Sequence, residues 1–311
     1  MKAHFLALAA LCCTLAVEAT NAHQLRSSGH SRRFSHVESR DTKVVNGKKC
    51  RVRSRSKTAS KATTNANVNN NASAKNNVNT NTASISVNLN VGGLLSVSSS
   101  CGHVGATSSI TSDAGPNGAM GWINCGIDGS GWRPQNVQVG DLKVVDLSAA
   151  LQDSNSPFTA CAPYIDKFVQ YGNQYGVPPI LMASFAMQES TCNPSTVGGA
   201  GEVGLMQITP DKCGGAPGGN CFDPDFNIQT ATAYFKGVLD GCGGNVFQAI
   251  GQYNGWQPGM TIASATAAAG TSCCRCQNNL DYLFQMVNGW MQNVSPYARH
   301  LGKYFNLDQC H

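Results

Sequence analysis

Pro178-Pro179-Ile180-Leu181-Met182-Ala183-Ser184-Phe185-Ala186-Met187-Gln188-Glu189-Ser190 decides how the chain is read. The run spells an apolar helix that opens with Pro179, a residue suited to the first helical turn. It closes on a carboxylate. Phe185 lies four residues before Glu189 and Leu181 eight before, so Glu189 continues a face that is otherwise apolar. Burial there would penalise the charged form and raise the pKa, as a general acid working near neutral pH requires. The other reading of the same residue is a helix-end Glu in solvent, or a member of a structural ion pair.

Outward from this helix the pattern stays helical. Tyr164, Ile165, Phe168, Val169, Tyr171 and Tyr175 have helical spacing that stops at Gly176. Further helices are predicted at Asn227–Asp240, Asn245–Tyr253 and Ser272–Val294. The Gly-rich stretch Gly198–Gly204 precedes Leu205-Met206-Gln207-Ile208, a short apolar run suited to a strand. The expected fold class is α+β, predominantly α-helical.

Charge is divided sharply along the chain. Residues 23–62 hold 12 Lys and Arg against Glu38 and Asp41, whereas residues 101–311 hold 8 basic and 14 acidic side chains. The overall net charge of +5 therefore hides a basic tail in front of an acidic body, and nucleic-acid binding has no basis in the body. Ahead of the tail, Lys2 and the 13-residue apolar stretch Phe5–Val17, followed by small Thr20 and Ala22, read as a secretory signal peptide over 1–22. No apolar run reaches the ~20 residues of a membrane span. The segment 23–62 is then a basic tail or propeptide with dibasic pairs at Arg32-Arg33 and Lys48-Lys49. Residues 63–100 form an Asn/Ser-rich linker; 11 of the 28 residues in 63–90 are Asn, too polar to offset ordering entropy, so disorder is expected. A small cysteine-bearing module is predicted at 101–147, with Cys101–Cys125 a candidate pair, and the main domain at 148–311.

Removal of the signal peptide would leave 12 cysteines in an oxidising route, which favours disulfides over zinc. Eleven lie from Cys101 onward, so one pairs with Cys50, cross-links or stays free. Asn71-Ala72-Ser73 and Asn293-Val294-Ser295 are glycosylation sequons. The body's histidines are His103, His300 and His311, with no G-x-S-x-G elbow, H-E-x-x-H, G-x-x-x-x-G-K-S/T loop, or G-x-G-x-x-G followed by a helix. No cofactor or metal is called for, and a monomer is expected.

Only four Glu occur in the sequence, and the body keeps two of them, Glu189 and Glu202. The run Glu189-Ser190-Thr191-Cys192-Asn193-Pro194, then Gly204-Leu205-Met206-Gln207-Ile208, resembles the start of a soluble lytic transglycosylase domain, a lysozyme-like family related to goose-type lysozymes. Gly243-Gly244-Asn245-Val246-Phe247-Gln248-Ala249-Ile250-Gly251-Gln252-Tyr253-Asn254-Gly255 resembles its third motif. Together these cover roughly residues 160–260. The cysteine-rich portions resemble, more loosely, secreted lysozyme-like proteins of fungi.

The resemblance implies that Glu189 is the catalytic acid, with Ser190, Gln207, Tyr253 and Asn254 lining the sugar-binding groove and Met206 and Ile208 packing. It implies cleavage of the β-1,4 MurNAc–GlcNAc bond of bacterial peptidoglycan by a secreted enzyme. Glu202 stands where the family usually carries a small or apolar residue, and the Gly214–Gly219 insertion between Cys213 and Cys221 is unusual. Glu202 is thus the candidate second carboxylate for activating water, or else a surface Glu on a Gly loop. Asp223 and Asp225 are expected to be turn or helix-cap residues. Two alternatives stay open: a chitin- or chitosan-cleaving enzyme, and a non-catalytic cell-wall glycan-binding protein of the same fold. The cationic tail could add a salt-sensitive attraction to anionic walls.

Overall fold

The computed structural model describes residues 90–91, 93–198 and 201–310. The signal peptide, the basic tail, Cys50, the Asn71 sequon and the linker up to residue 89 lie outside them. Eight α-helices are described: α1 (Met120–Ile123), α2 (Leu147–Ala150), α3 (Ile165–Tyr175), α4 (Pro179–Ser190), α5 (Pro224–Gly241), α6 (Val246–Tyr253), α7 (Ile262–Ala265) and α8 (Tyr282–Asn288). Strand content is minimal, a parallel pair β1 (Asn90–Val91) and β2 (Lys143–Val144) in the register Asn90 to Lys143. None of these helices is long and apolar enough to cross a membrane.

Helix α4 is the axle. Every residue from Pro179 to Glu189 is buried, as expected of a helix apolar on all sides. Helix α3, amphipathic, packs against it and ends where Gly176 turns left-handed at φ 67°. Asp223 caps α5 by accepting from the Phe226 N–H at 2.9 Å, with Pro224 in the first turn. Asn245 caps α6 through the Gln248 N–H. These elements meet in an aromatic core: Phe185 of α4 stacks on Tyr253 of α6 at 3.9 Å, and Phe235 of α5 closes on Phe185 at 5.1 Å.

The segment ahead of α2 joins this core. Trp122 meets Phe247 edge-on at 5.8 Å, and Trp132 meets Trp256 at 5.0 Å. The Asn117 amide donates to the carbonyls of Lys143 and Val287. Packing starts ahead of Cys101, since Leu95 is buried and the Ser99 hydroxyl accepts from the Trp122 indole N–H. Gly251 is required beneath Trp132, because a Cβ there would stand 2.6 Å from the ring. Gly251→Ala is therefore expected to lower unfolding stability by about 1–3 kcal/mol, read from the denaturant midpoint.

Among the described residues five disulfides are formed: Cys101–Cys125, Cys161–Cys192, Cys213–Cys221, Cys273–Cys276 and Cys274–Cys310. Among the described residues Cys242 alone is outside a disulfide. Two predicted elements differ in the structure. The long helix expected over Ser272–Val294 contracts to α8. Its front is a 3-10 turn, Cys274–Cys276, held by two cystines, and Gly289 ends it. The strand expected at Leu205–Ile208 is a turn. Leu205, Met206 and Ile208 are all fully buried rather than alternating, and Gly204 and Gln207 take φ of 78° and 49°.

Candidate active site

Glu189 is the penultimate residue of α4 and only 4 % exposed. Beyond it the chain turns through two left-handed non-glycine residues, Thr191 (φ 55°) and Cys192 (φ 56°). Such backbone costs energy and persists only where its surroundings hold it. The Cys161–Cys192 disulfide does so here, tying the end of α4 to the preceding 3-10 helix Pro157–Tyr164. Ser190 adds a second tie: its hydroxyl meets the carbonyls of Ala186 at 3.0 Å and Leu205 at 2.8 Å. Ser190 thus joins the carboxylate-bearing turn to the 204–208 turn.

One phenol contacts the Glu189 carboxylate and two more feel its charge. The Tyr282 hydroxyl of α8 donates to Oε1 at 3.3 Å. Complete burial, reinforced by the Glu189 charge, pushes the Tyr253 phenol well above its ordinary value. Tyr297 is pushed up to about 12, chiefly by burial of its hydroxyl; the hydrogen bond from Gln188 opposes this, while the charges of Glu189 and Asp308 add to it. Tyr253 and Tyr297 therefore stay protonated at neutral pH.

The 204–208 turn is fixed from three sides. Tyr253 donates to the Met206 carbonyl at 3.1 Å. Gln207, 7 % exposed, gives its amide N–H groups to Thr196 and Gly204. Asn227 of α5, fully buried, accepts from the Met206 N–H at 2.8 Å and donates to Val203 and Cys221. Asn227 carries no sequence signal of this role; it reads as an ordinary polar residue early in a helix.

Glu202 is 1 % exposed, on the short hairpin whose bridges join Val197 to Val203 and Val203 to Ile208. Its Oε2 and the Gln207 Oε1 converge on Gly198, where a Cβ would stand 2.5 and 2.7 Å from them. The structure therefore gathers Glu189, Ser190, Gln207 and Tyr253 around one turn, with Glu202 reaching it through Gln207. Asn254, one residue past α6, is 1 % exposed, and neither atom of its side-chain amide has a protein hydrogen-bond partner. Asp223 and Asp225 stay apart: the first is the α5 cap, and the second pairs with Lys167 at 2.7 Å and accepts from Tyr171. Among the described residues no cluster of His, Cys, Asp and Glu could hold a metal ion.

The Transglycosylase SLT domain family matches residues 166–261. This stretch is a transglycosylase SLT domain. It runs from the first turn of α3 to just before α7 and contains Glu189, Ser190, Glu202, Gln207, Tyr253 and Asn254. Tyr282 and Tyr297 lie beyond it. The chain is 32% identical over 111 residues to a transglycosylase of Enterobacteria phage PRD1, covering 36% of this chain and 40% of that protein. It is 27% identical over 156 residues to the soluble lytic murein transglycosylase of Escherichia coli (strain K12), covering 47% of this chain and 24% of the other. Among solved structures, the 70 kDa soluble lytic transglycosylase of Escherichia coli superposes with a TM-score of 0.30 at 24% identity, over 42% of this chain and 26% of that one. The chain thus spans well under half the length of these relatives.

Proposed function

We propose that the chain is a secreted lytic transglycosylase that cleaves the β-1,4 MurNAc–GlcNAc bond of bacterial peptidoglycan, with Glu189 as its general acid. The observation that carries this reading is the enclosed Glu189 carboxyl of the SLT domain, bonded by the Tyr282 hydroxyl. An enclosed carboxyl at the end of a core helix is placed to pass a proton to a leaving oxygen. Protonated Glu189 gives its proton to the glycosidic oxygen as the bond to the sugar breaks and positive charge develops on the ring. The resulting carboxylate then accepts the proton of the same sugar's C6 hydroxyl, whose oxygen closes a 1,6-anhydro ring. No water is consumed.

Relatives named as transglycosylases support this reading over chitin cleavage and over a silent glycan binder. Export fits the five disulfides, which belong to an oxidising route. The basic tail, if retained, adds electrostatic wall attraction that weakens with salt. Ser190, Gln207 and Tyr253 act mainly by shaping the groove beside the acid, and Asn254 offers an unpaired amide to an incoming hydroxyl or water.

A second reading rests on Glu202. A buried carboxyl beside Gln207 could serve as the base that activates water, which would make the enzyme a hydrolase. Mass analysis of digested peptidoglycan separates the two. Muropeptides lighter by one water are expected, and they should persist in Glu202→Gln. Ordinary reducing ends, lost in that variant, would establish hydrolysis instead.

A further inference from the structure

A cavity of about 550 Å³ opens outside the SLT domain, lined by Arg275, Gln285, Tyr297, His300, Phe305 and Asp308 among others. Its size is that of an ordinary small-ligand site. Two links connect it to Glu189. Gln285 lies one turn along α8 from Tyr282, whose hydroxyl bonds the Glu189 carboxyl. Tyr297 accepts from the side chain of Gln188, the residue before Glu189, and the Trp290 indole fixes the other end of that amide at 2.7 Å.

The wall is built rather than incidental. Asp281, fully buried, accepts the backbone N–H groups of Lys303, Tyr304 and Phe305. The Cys274–Cys310 disulfide and the Arg275 bond to the Cys310 carbonyl close the segment behind them. Held in this way, His300 and Phe305 adopt left-handed backbone (φ 50° and 44°) and stack ring on ring at 4.0 Å. Tyr297, in contrast, leaves 58 % of its surface open while its hydroxyl is bound. An exposed aromatic face, pinned at its polar end and flanked by the charged Asp308 and Arg275, suits a pyranose ring. The C–H face of the sugar covers the aromatic ring, and its hydroxyl and amide groups meet the polar rim.

We propose that this cysteine-tethered C-terminal segment forms an added glycan subsite, with Tyr297 as the platform that seats an N-acetylated amino-sugar ring of the chain whose bond Glu189 cleaves. The proposal rests on the glycosidase reading above and extends it beyond the residues the SLT domain supplies.

Binding of the β-1,4 tetramer of N-acetylglucosamine to Glu189→Gln protein, measured by titration calorimetry, tests it without turnover. Adding Tyr297→Ala is expected to weaken binding about tenfold, and Tyr297→Phe to leave it within about twofold, since only the first removes the platform. Asp308→Ala, on the exposed rim, should weaken it a few-fold. Equal weakening by the Phe and Ala variants would assign the effect to the Gln188 hydrogen bond and overturn the proposal. So would unchanged binding in Tyr297→Ala, or no tetramer binding by the Glu189→Gln parent. If the wild-type chain fails to cleave peptidoglycan while the tetramer still binds in a Tyr297-dependent way, the activity reading falls and the subsite stands.

Discussion

Glu189→Gln is expected to reduce release of soluble muropeptides from purified peptidoglycan by about 10²–10⁴-fold, the range over which a positioned general acid contributes. Glutamine has nearly the same shape and can still accept from the Tyr282 hydroxyl, so the cluster around it should survive. It cannot donate an acidic proton to a leaving oxygen. Thermal unfolding of the variant should match the wild type, because a buried carboxyl exchanged for a neutral isostere loses no packing. Full activity in Glu189→Gln would remove Glu189 from the chemistry.

Asn227→Ala is expected to have the largest effect on stability. One buried amide serves three backbone groups: the Met206 N–H and the carbonyls of Val203 and Cys221. Removing it strands the Met206 N–H and the Cys221 carbonyl in the interior, while the Val203 carbonyl keeps the Ile208 N–H; at roughly 1–3 kcal/mol for each group left unpaired, a loss of about 2–5 kcal/mol is expected overall. The denaturant midpoint would report this. The Gly204 left-handed turn packs against that amide, and a Cβ at 204 would stand 2.5 Å from its nitrogen. The 204–208 turn should therefore loosen first, and cleavage should fall by more than the unfolded fraction accounts for. Asn227→Asp keeps the acceptor for Met206 but not the donors, and should lie between the two. A midpoint unchanged in Asn227→Ala would mean the turn is held by Tyr253 and Gln207 alone.

The core helix was legible because its apolar residues leave no polar face, and a segment without one has only the interior to occupy. Helix α6 was legible with its start at Asn245, whose side chain satisfies an early free N–H; α5 was legible from Asn227 onward but begins three residues earlier, at Pro224 behind the Asp223 cap. The Ser272–Val294 stretch misled, since helical spacing cannot reveal that Cys274 closes on Cys310 or that Asp281 turns away to hold the backbone at 303–305. Leu205–Ile208 misled for a related reason. Apolar residues in sequence can be buried by a turn as well as by a strand when other chain segments cover both sides.

Composition and order brought Glu189 forward, because a body with two Glu residues has few candidates and one of them ends an apolar helix; the likeness of its surrounding motifs to the lytic transglycosylases is what favoured it over a structural role. Local pattern also determined the helical class and the cysteine chemistry. The surroundings of that carboxyl were settled only by tertiary structure. Tyr282 lies 93 residues beyond Glu189, and the Tyr297 that braces Gln188 lies 109 beyond that glutamine. Contacts at such separation depend on how α8 and the cystine-held C-terminal segment pack, which no local periodicity encodes. The sequence names the candidate carboxyl; packing supplies the phenols beside it.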